Sequence, residues 1–94
     1  MTIPPVRPLE KSNAQFARAV KRLPLGVAST FRYWGDERTI YVHHGKGGRT
    51  WDIDGNGYVD YRLGYGPAIL GYADDRVDAA ARRGMEVGGV FALS

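Results

Sequence analysis

The stretch from Arg49 to Gly71, RTWDIDGNGYVDYRLGYGPAILG, leaves this chain little choice of fold. Trp51 and Ile53 alternate with polar neighbours, as do Val59 and Tyr61, and the Asp54-Gly55-Asn56-Gly57 block between them can take the positive φ that a hairpin turn needs. The spacing predicts a strand, a tight turn and a second strand. Beyond it, Gly64, Gly66, Pro67 and Gly71 punctuate the apolar Ala68-Ile69-Leu70, a pattern suited to backbone passing close to another segment or a ligand. A functional site is expected there.

The flanking residues extend the pattern into an α+β arrangement. Residues 1–11 carry prolines at positions 4, 5 and 8 and are expected to form an extended arm that takes its order from a neighbouring surface. Ser12 then opens a helix, with Gln15 as its capping-box partner. Phe16, Ala19, Val20 and Leu23 share one face of that helix, and Pro24 ends it. Leu25 to Gly35 has no clean period and reads as an ordered loop. Thr39 to His44 reads as a first strand, Gly45 to Gly48 as a turn and Arg49 to Ile53 as a second strand, so the hairpin becomes a three-stranded antiparallel meander. After the glycine-rich loop, Ala73-Asp74-Asp75 supplies acidic capping for a helix from Arg76 to Glu86. Its apolar face of Val77, Ala80, Ala81 and Met85 is narrow, and small alanines there imply close packing against something bulky.

Ninety-four residues suffice for one domain with a core if its elements are complete. The stretch from Val90 to Ser94 follows a glycine pair and stays apolar almost to the last position, so residues 12–94 are expected to be part of a longer domain that continues past Ser94. There is no cysteine, hence neither a disulfide framework nor a thiolate metal site, which points to a cytoplasmic compartment. No apolar run approaches the roughly 18 residues of a membrane span, and the first residues lack a signal-peptide layout, so a soluble chain with no membrane partner is expected. Residues 1–49 hold nine Lys/Arg against three Asp/Glu, and residues 50–94 hold four against seven. The basic residues of the front half are scattered without a run or an RNA-binding signature, which argues for a solvated surface and against a nucleic-acid partner.

Four features invite a chemical reading. Arg32 lies among Phe31, Tyr33 and Trp34; spacing alone favours a surface guanidinium stacked on Tyr33 or Trp34, and the alternative is a carboxylate fork offered from an aromatic pocket. His43 and His44 are adjacent on a strand, where neighbours point to opposite faces, so they are not expected to clamp one ion. Lys46 follows a single glycine and lacks phosphate-loop spacing. Asp52 to Asp60 fits the opening of an EF-hand calcium loop, with oxygen side chains at its first, third and fifth positions, glycine at the sixth and an aliphatic residue at the eighth. Its twelfth position is Leu63 in place of the closing glutamate, and the segment entering it alternates like a strand rather than a helix. A calcium-binding loop therefore stays a weaker alternative, and no metal site is expected.

Taken together, Trp51 to Tyr61 and Gly64-Tyr65-Gly66-Pro67-Ala68-Ile69-Leu70-Gly71 resemble the N-terminal segment of the class III pyridoxal-phosphate-dependent aminotransferases, nearest the glutamate-semialdehyde aminomutase branch. Ser12-Asn13-Ala14 and Leu23-Pro24-Leu25-Gly26-Val27, leading into Ser29 and Arg32, agree in order and spacing, so the resemblance runs from about Leu9 to Phe91. The chain departs from the pattern at Tyr65, where the aminomutase branch tends to have tryptophan, at Leu25, where it tends to have a second glycine, and at Tyr72 and Asp75, where the family often has histidine and proline.

The resemblance implies part of the small N-terminal domain of a fold type I enzyme, with an α/β parent that is a homodimer, uses pyridoxal 5'-phosphate and moves an amino group on a small, carboxylate-bearing, amino-acid-like substrate. It implies that Arg32 binds the substrate carboxylate, that Ser29 shapes the same pocket, and that Tyr65 lines the substrate side of the cofactor. The lysine that joins the cofactor lies far downstream in that family, and none of Lys11, Lys21 and Lys46 sits in a matching context. A non-catalytic binding or structural module is the alternative. On the enzyme reading the 94-residue chain is inactive alone: titrated with pyridoxal phosphate and reduced with borohydride, it should trap no stoichiometric adduct at any one lysine, and such an adduct would overturn the fragment reading.

Overall fold

The alternation around the Asp54-Gly55 turn produces the hairpin it predicts. A computed structural model describes residues 7–89 and 91; most of the proline-rich arm and the end of the apolar terminal stretch lie outside the described residues. Strand β1 (Val42–Lys46), strand β2 (Arg49–Asp52) and strand β3 (Gly57–Val59) form an antiparallel sheet in the order β1-β2-β3. Thr50 pairs with Tyr58 and Trp51 with Gly57 across the hairpin, and Gly55 takes φ +89° in its turn. The first strand runs later than the sequence suggests: Lys46 pairs with Arg49, so Gly45 and Lys46 are ladder residues and only Gly47-Gly48 make the turn.

Helix α1 (Glu10–Ala19) starts two residues before Ser12, and Ser12 is not its cap. The cap comes from the hairpin. Asp54 accepts hydrogen bonds from the backbone N–H of Lys11 at 2.7 Å and of Ser12 at 2.9 Å, supplying the acceptors that the first turn of a helix lacks. Ser12 is fully buried, and its Oγ accepts from the backbone N–H of Tyr41 at 3.3 Å, tying α1 to the approach to β1. Just before the helix, Asn56 Nδ2 donates to the carbonyl of Pro8 at 2.8 Å and the Arg7 guanidinium lies 4.6 Å over the Tyr58 ring. Arg7 and Pro8 thus lie against the hairpin, while Glu10 and Lys11, expected in the arm, belong to α1.

Residues from Pro24 to Arg32 form two short 3₁₀ turns, Pro24–Gly26 and Thr30–Arg32, joined by extended backbone. Phe16 stacks on Tyr33 with ring centroids 6.2 Å apart, and Tyr41 OH donates to the carbonyl of Gly26 at 2.7 Å. A third 3₁₀ turn, Leu63–Tyr65, opens the glycine-rich loop. The loop returns to the sheet through a two-way backbone bridge: Gly47 N–H donates to Tyr72 O at 2.9 Å and Tyr72 N–H to Gly47 O at 2.8 Å. Gly71 sits at φ +83°, and a Cβ there would lie 2.8 Å from the carbonyl oxygen of Gly47, so the close backbone approach expected of this loop occurs at that residue. Helix α2 (Asp75–Glu86) follows, capped by Asp74, whose carboxylate accepts from the N–H groups of Arg76 and Val77.

Among the described residues no apolar side chain is fully buried; the buried residues with polar side chains are Ser12, Thr39, Thr50 and Asp52. The accessible surface is 7,883 Å², where a compact globule of this mass exposes about 5,400 Å². The radius of gyration of 16.8 Å likewise exceeds the about 12 Å of a compact domain. Val77 and Met85, on the face of α2 that the alanines predict to be closely packed, are 50% and 73% exposed. What the chain holds together, it holds through hydrogen bonds and half-buried aromatics rather than a core.

In a protein carrying this segment, Gly71→Ala should cost about 2 kcal/mol or more, because left-handed strain and a clash with Gly47 act together. Gly55→Ala, also at positive φ but facing open space, should cost about 1 kcal/mol. Urea midpoints compare the two directly.

Candidate functional site

Three carboxylates of the central stretch organise the ground on which any site must stand. Asp52 is 2% exposed. Its Oδ1 accepts from the N–H groups of Asp54 and Asn56, and its Oδ2 accepts from Asn56 Nδ2 and Tyr58 OH, all within 2.8–3.0 Å. Burial opposes its charge, but these four donors prevail and hold its pKa below the ordinary value. Tyr58, half-buried and donating to that carboxylate, is pushed up to about 12, so its hydroxyl keeps its proton. Asp54 faces the same opposition from desolvation and is likewise held low by the Lys11 and Ser12 N–H groups. The residues that spell out a calcium loop are thus committed to internal donors, and the segment entering them is β2, not a helix.

Asp60 plays the same part for the glycine-rich loop. Its Oδ2 accepts from Tyr72 OH at 2.6 Å, and its Oδ1 from the N–H groups of Arg62 and Leu63 at 2.8 and 3.0 Å, an Asx turn that starts the Leu63–Tyr65 turn. The Tyr72 hydrogen bond, with that from Leu63 N–H, keeps the carboxyl below its usual range. The backbone then runs left-handed through Leu63 (φ +46°), Gly64 (+70°) and Tyr65 (+66°). Two side-chain-bearing residues in that region carry strain of order 1 kcal/mol each, a cost that concentrates where side chains must be aimed.

Gly64 and Tyr65 border a cavity of about 790 Å³ between this loop, the Thr30–Arg32 turn and the sheet. Phe31, Trp34 and Tyr65 give it aromatic walls, with the Phe31 and Tyr65 rings 6.3 Å apart. Arg32 lines it with a guanidinium that has no ion-pair partner among the described residues. The volume falls within the range of small-molecule sites, which combine apolar walls with a few polar groups.

The structure brings Arg32 and Tyr65 to one cavity. Ser29 lies at the start of the same turn, its carbonyl accepting from the Arg32 N–H at 2.9 Å, but it is not among the residues lining the cavity. The guanidinium found over Trp34 is that of Arg62, at 5.8 Å, which also lies 5.3 Å over Tyr65 and donates from Nη1 to Tyr65 OH at 2.7 Å. Sequence reasoning missed Arg62 and Tyr72. The signal available was Asp60 two residues before Arg62, in the spacing of an Asx turn.

The two histidines also differ from expectation. The register slips between Val42 and His44, and strand alternation fails there. The rings meet edge to face with Nδ1 atoms 2.9 Å apart, and His44 stacks on Trp51 at 4.7 Å. Among the described residues no group of three or more metal-ligating side chains forms.

No family model matches the chain. It is 44% identical over 88 residues to glutamate-1-semialdehyde 2,1-aminomutase 2 of Anoxybacillus flavithermus, covering 92% of this chain and 20% of that protein. To the enzyme of the same name from Bacillus velezensis it is 43% identical over 91 residues, covering 95% and 21%. Among solved structures it superposes on a transaminase with PLP bound at a TM-score of 0.79 and 30% identity, covering 94% of this chain and 20% of that one. The resemblance read from the residues therefore holds along nearly the whole chain, which spans about a fifth of the length of the curated relatives it matches.

Stability should reflect Asp52 through pH. Because its pKa is lowered from 3.8, the stability it lends is complete above that value and is lost as pH falls through the depressed folded-state value. Asp52→Asn should cost about 1–3 kcal/mol at neutral pH by setting amide protons against Tyr58 OH and Asn56 Nδ2, and should flatten the acid limb of the unfolding curve. Amide exchange of the hairpin as a function of pH measures both.

Proposed function

We propose that this chain, which resembles the aminomutase branch of the class III aminotransferases, forms the substrate-side wall of a pyridoxal-phosphate-dependent enzyme that transfers an amino group. The observation that carries this reading is the meeting of Arg32 and Tyr65 on one aromatic-walled cavity, from turns about thirty residues apart in a chain otherwise poor in buried surface. A relative named glutamate-1-semialdehyde 2,1-aminomutase and a structural neighbour described as a transaminase with PLP bound support it.

The residues present fit one side of such a site. Aromatic faces suit the flat ring of pyridoxal phosphate and the substrate's carbon chain, and a free guanidinium suits a carboxylate. No lysine lines the cavity: Lys46 Nζ donates to Ala73 O at 2.6 Å and to Asp75 at 3.0 Å, and Lys11 and Lys21 lie outside the lining. When bound, pyridoxal phosphate supplies the electron sink that lets an amino group move. This chain's own part is to bind and orient. Arg32 takes the substrate carboxylate through its planar fork, Tyr65 and Phe31 confine the chain beyond it, and Ser29 sets the backbone from which Arg32 projects.

The same reading carries a cytoplasmic homodimer as the working form. The exposed apolar face of α2 is consistent with burial against further protein, and no described helix is long and apolar enough to cross a membrane.

In the full-length enzyme, Arg32→Ala and Arg32→Lys should each lose about 2–4 kcal/mol in kcat/KM for carboxylate-bearing substrates, lysine failing because the fork geometry is gone. Both should keep activity on simple amines. Near-normal kcat/KM in both variants on carboxylate substrates would sink the assignment.

A further inference from the structure

Asn56 is followed by Gly57, whose backbone nitrogen no side chain of its own hinders. That nitrogen is the nucleophile for a reaction of the asparagine amide. It bonds to Asn56 Cγ, the Cγ–Nδ2 bond breaks, and Nδ2 leaves as ammonia with the proton that Gly57 gives up. Water then opens the cyclic imide at either carbonyl, leaving aspartate or isoaspartate at position 56. The chain's other asparagine, Asn13, precedes Ala14 within helix α1 and has no such neighbour. The folded hairpin withholds both reactants. Asn56 Nδ2 donates to Asp52 Oδ2 at 3.0 Å and to the carbonyl of Pro8 at 2.8 Å, so both amide protons are engaged and the amide plane is fixed. The Asn56 backbone is tied as well, its N–H donating to Asp52 Oδ1 at 2.9 Å and its carbonyl accepting from the Asp52 N–H at 3.0 Å. Gly57 is held in the ladder opposite Trp51. Turning the side chain toward the Gly57 nitrogen breaks these contacts, so the reaction waits on local opening of the turn.

We propose that Asn56 is a deamidation site guarded by the hairpin it belongs to: it reacts when the hairpin opens, and its product keeps the hairpin from closing again. The product is an acceptor-only carboxylate set against the Asp52 carboxylate and the Pro8 carbonyl, where the amide had supplied donors to both. Asp52 is 2% exposed, so the repulsion acts where water screens it little. Isoaspartate adds a carbon to the main chain inside the turn, whose length sets the register of β2 and β3. The damage spreads because other parts hang on the same turn. Asp54 caps α1 from it, and Arg7 donates to the Gly57 carbonyl and lies over the Tyr58 ring. A transient opening is thereby made permanent, and the arm and the start of α1 come loose with it. Nothing in this depends on the reading of the cavity.

The test incubates the full-length protein in mildly alkaline buffer, with and without denaturing urea, and follows both asparagines by peptide mapping and mass spectrometry. In urea Asn56 should convert faster than Asn13, giving aspartate and isoaspartate. In buffer its conversion should be slower by about tenfold or more, the factor set by how seldom the hairpin opens. Equal rates in urea and buffer would show that the fold guards nothing, and an Asn56 no faster than Asn13 in urea would show that it is no site; either result overturns the proposal. Two variants test the consequence. Asn56→Asp supplies one product directly, and Asn56→Ala removes the same amide without adding charge. Amide exchange across residues 49–59 should be faster in Asn56→Asp than in Asn56→Ala by about tenfold. Exchange in Asn56→Asp equal to or slower than in Asn56→Ala would mean that the product leaves the hairpin closed, which also overturns the proposal. The rates of the unaltered protein decide the first claim even where a variant does not fold.

Discussion

A carboxylate that should be costly to bury is the constraint on which the described structure depends. Asp52 is nearly inaccessible and is tolerated because four donors from its own hairpin surround it. Those donors are the reason the turn closes in one register and Tyr58 faces inward. With that register set, Asp54 is delivered to the start of α1 and Asp60 to the start of the glycine-rich loop. Three acidic residues within nine positions thereby fasten a helix, a hairpin and a loop, in a chain whose described residues bury no complete apolar side chain. Hydrophobic burial is usually the larger contribution to a domain's stability. Here the apolar faces of α1 and α2 are left for other surfaces to cover, and polar saturation supplies the local order.

How much of this was legible in the sequence follows from how local each cause is. The hairpin and the cap of α2 depend on residues within a few positions of one another, and alternation, Asp54-Gly55 and Asp74 announce them. The start of α1 does not, because its cap comes from a residue more than forty positions away, and a serine with a glutamine three residues on gives the same letters as a local capping box. The histidines were misread for a related reason. Alternation holds only while the ladder is regular, and the slip beside Val42 turns two rings expected on opposite faces toward each other.

The cavity shows the same division. Arg32 and Tyr65 could be named from a family resemblance, but nothing in their spacing says that they share a wall. The stacked arginine was assigned to the wrong position because a guanidinium near aromatics in sequence need not be near them in space: Arg62, distant from Trp34 in the chain, covers its ring. Tyr72 stood out in the sequence only as a departure from the family pattern. In the structure it holds Asp60 with its hydroxyl and Gly47 with its backbone, so the departure joins the loop to the sheet.

The cap that Asp54 places on α1 also sets an order of events during synthesis. Ser12 emerges from the ribosome 42 residues before the carboxylate that binds its N–H. A ten-residue helix is too short to persist alone in water. Until Asp54 has been added and the hairpin has turned back, the early segment is an uncapped, half-apolar strip open to chaperones and proteases. Helix α1 is therefore secured only after residues far downstream of it have been made, and its vulnerable interval is measured by the time the ribosome takes to reach the turn.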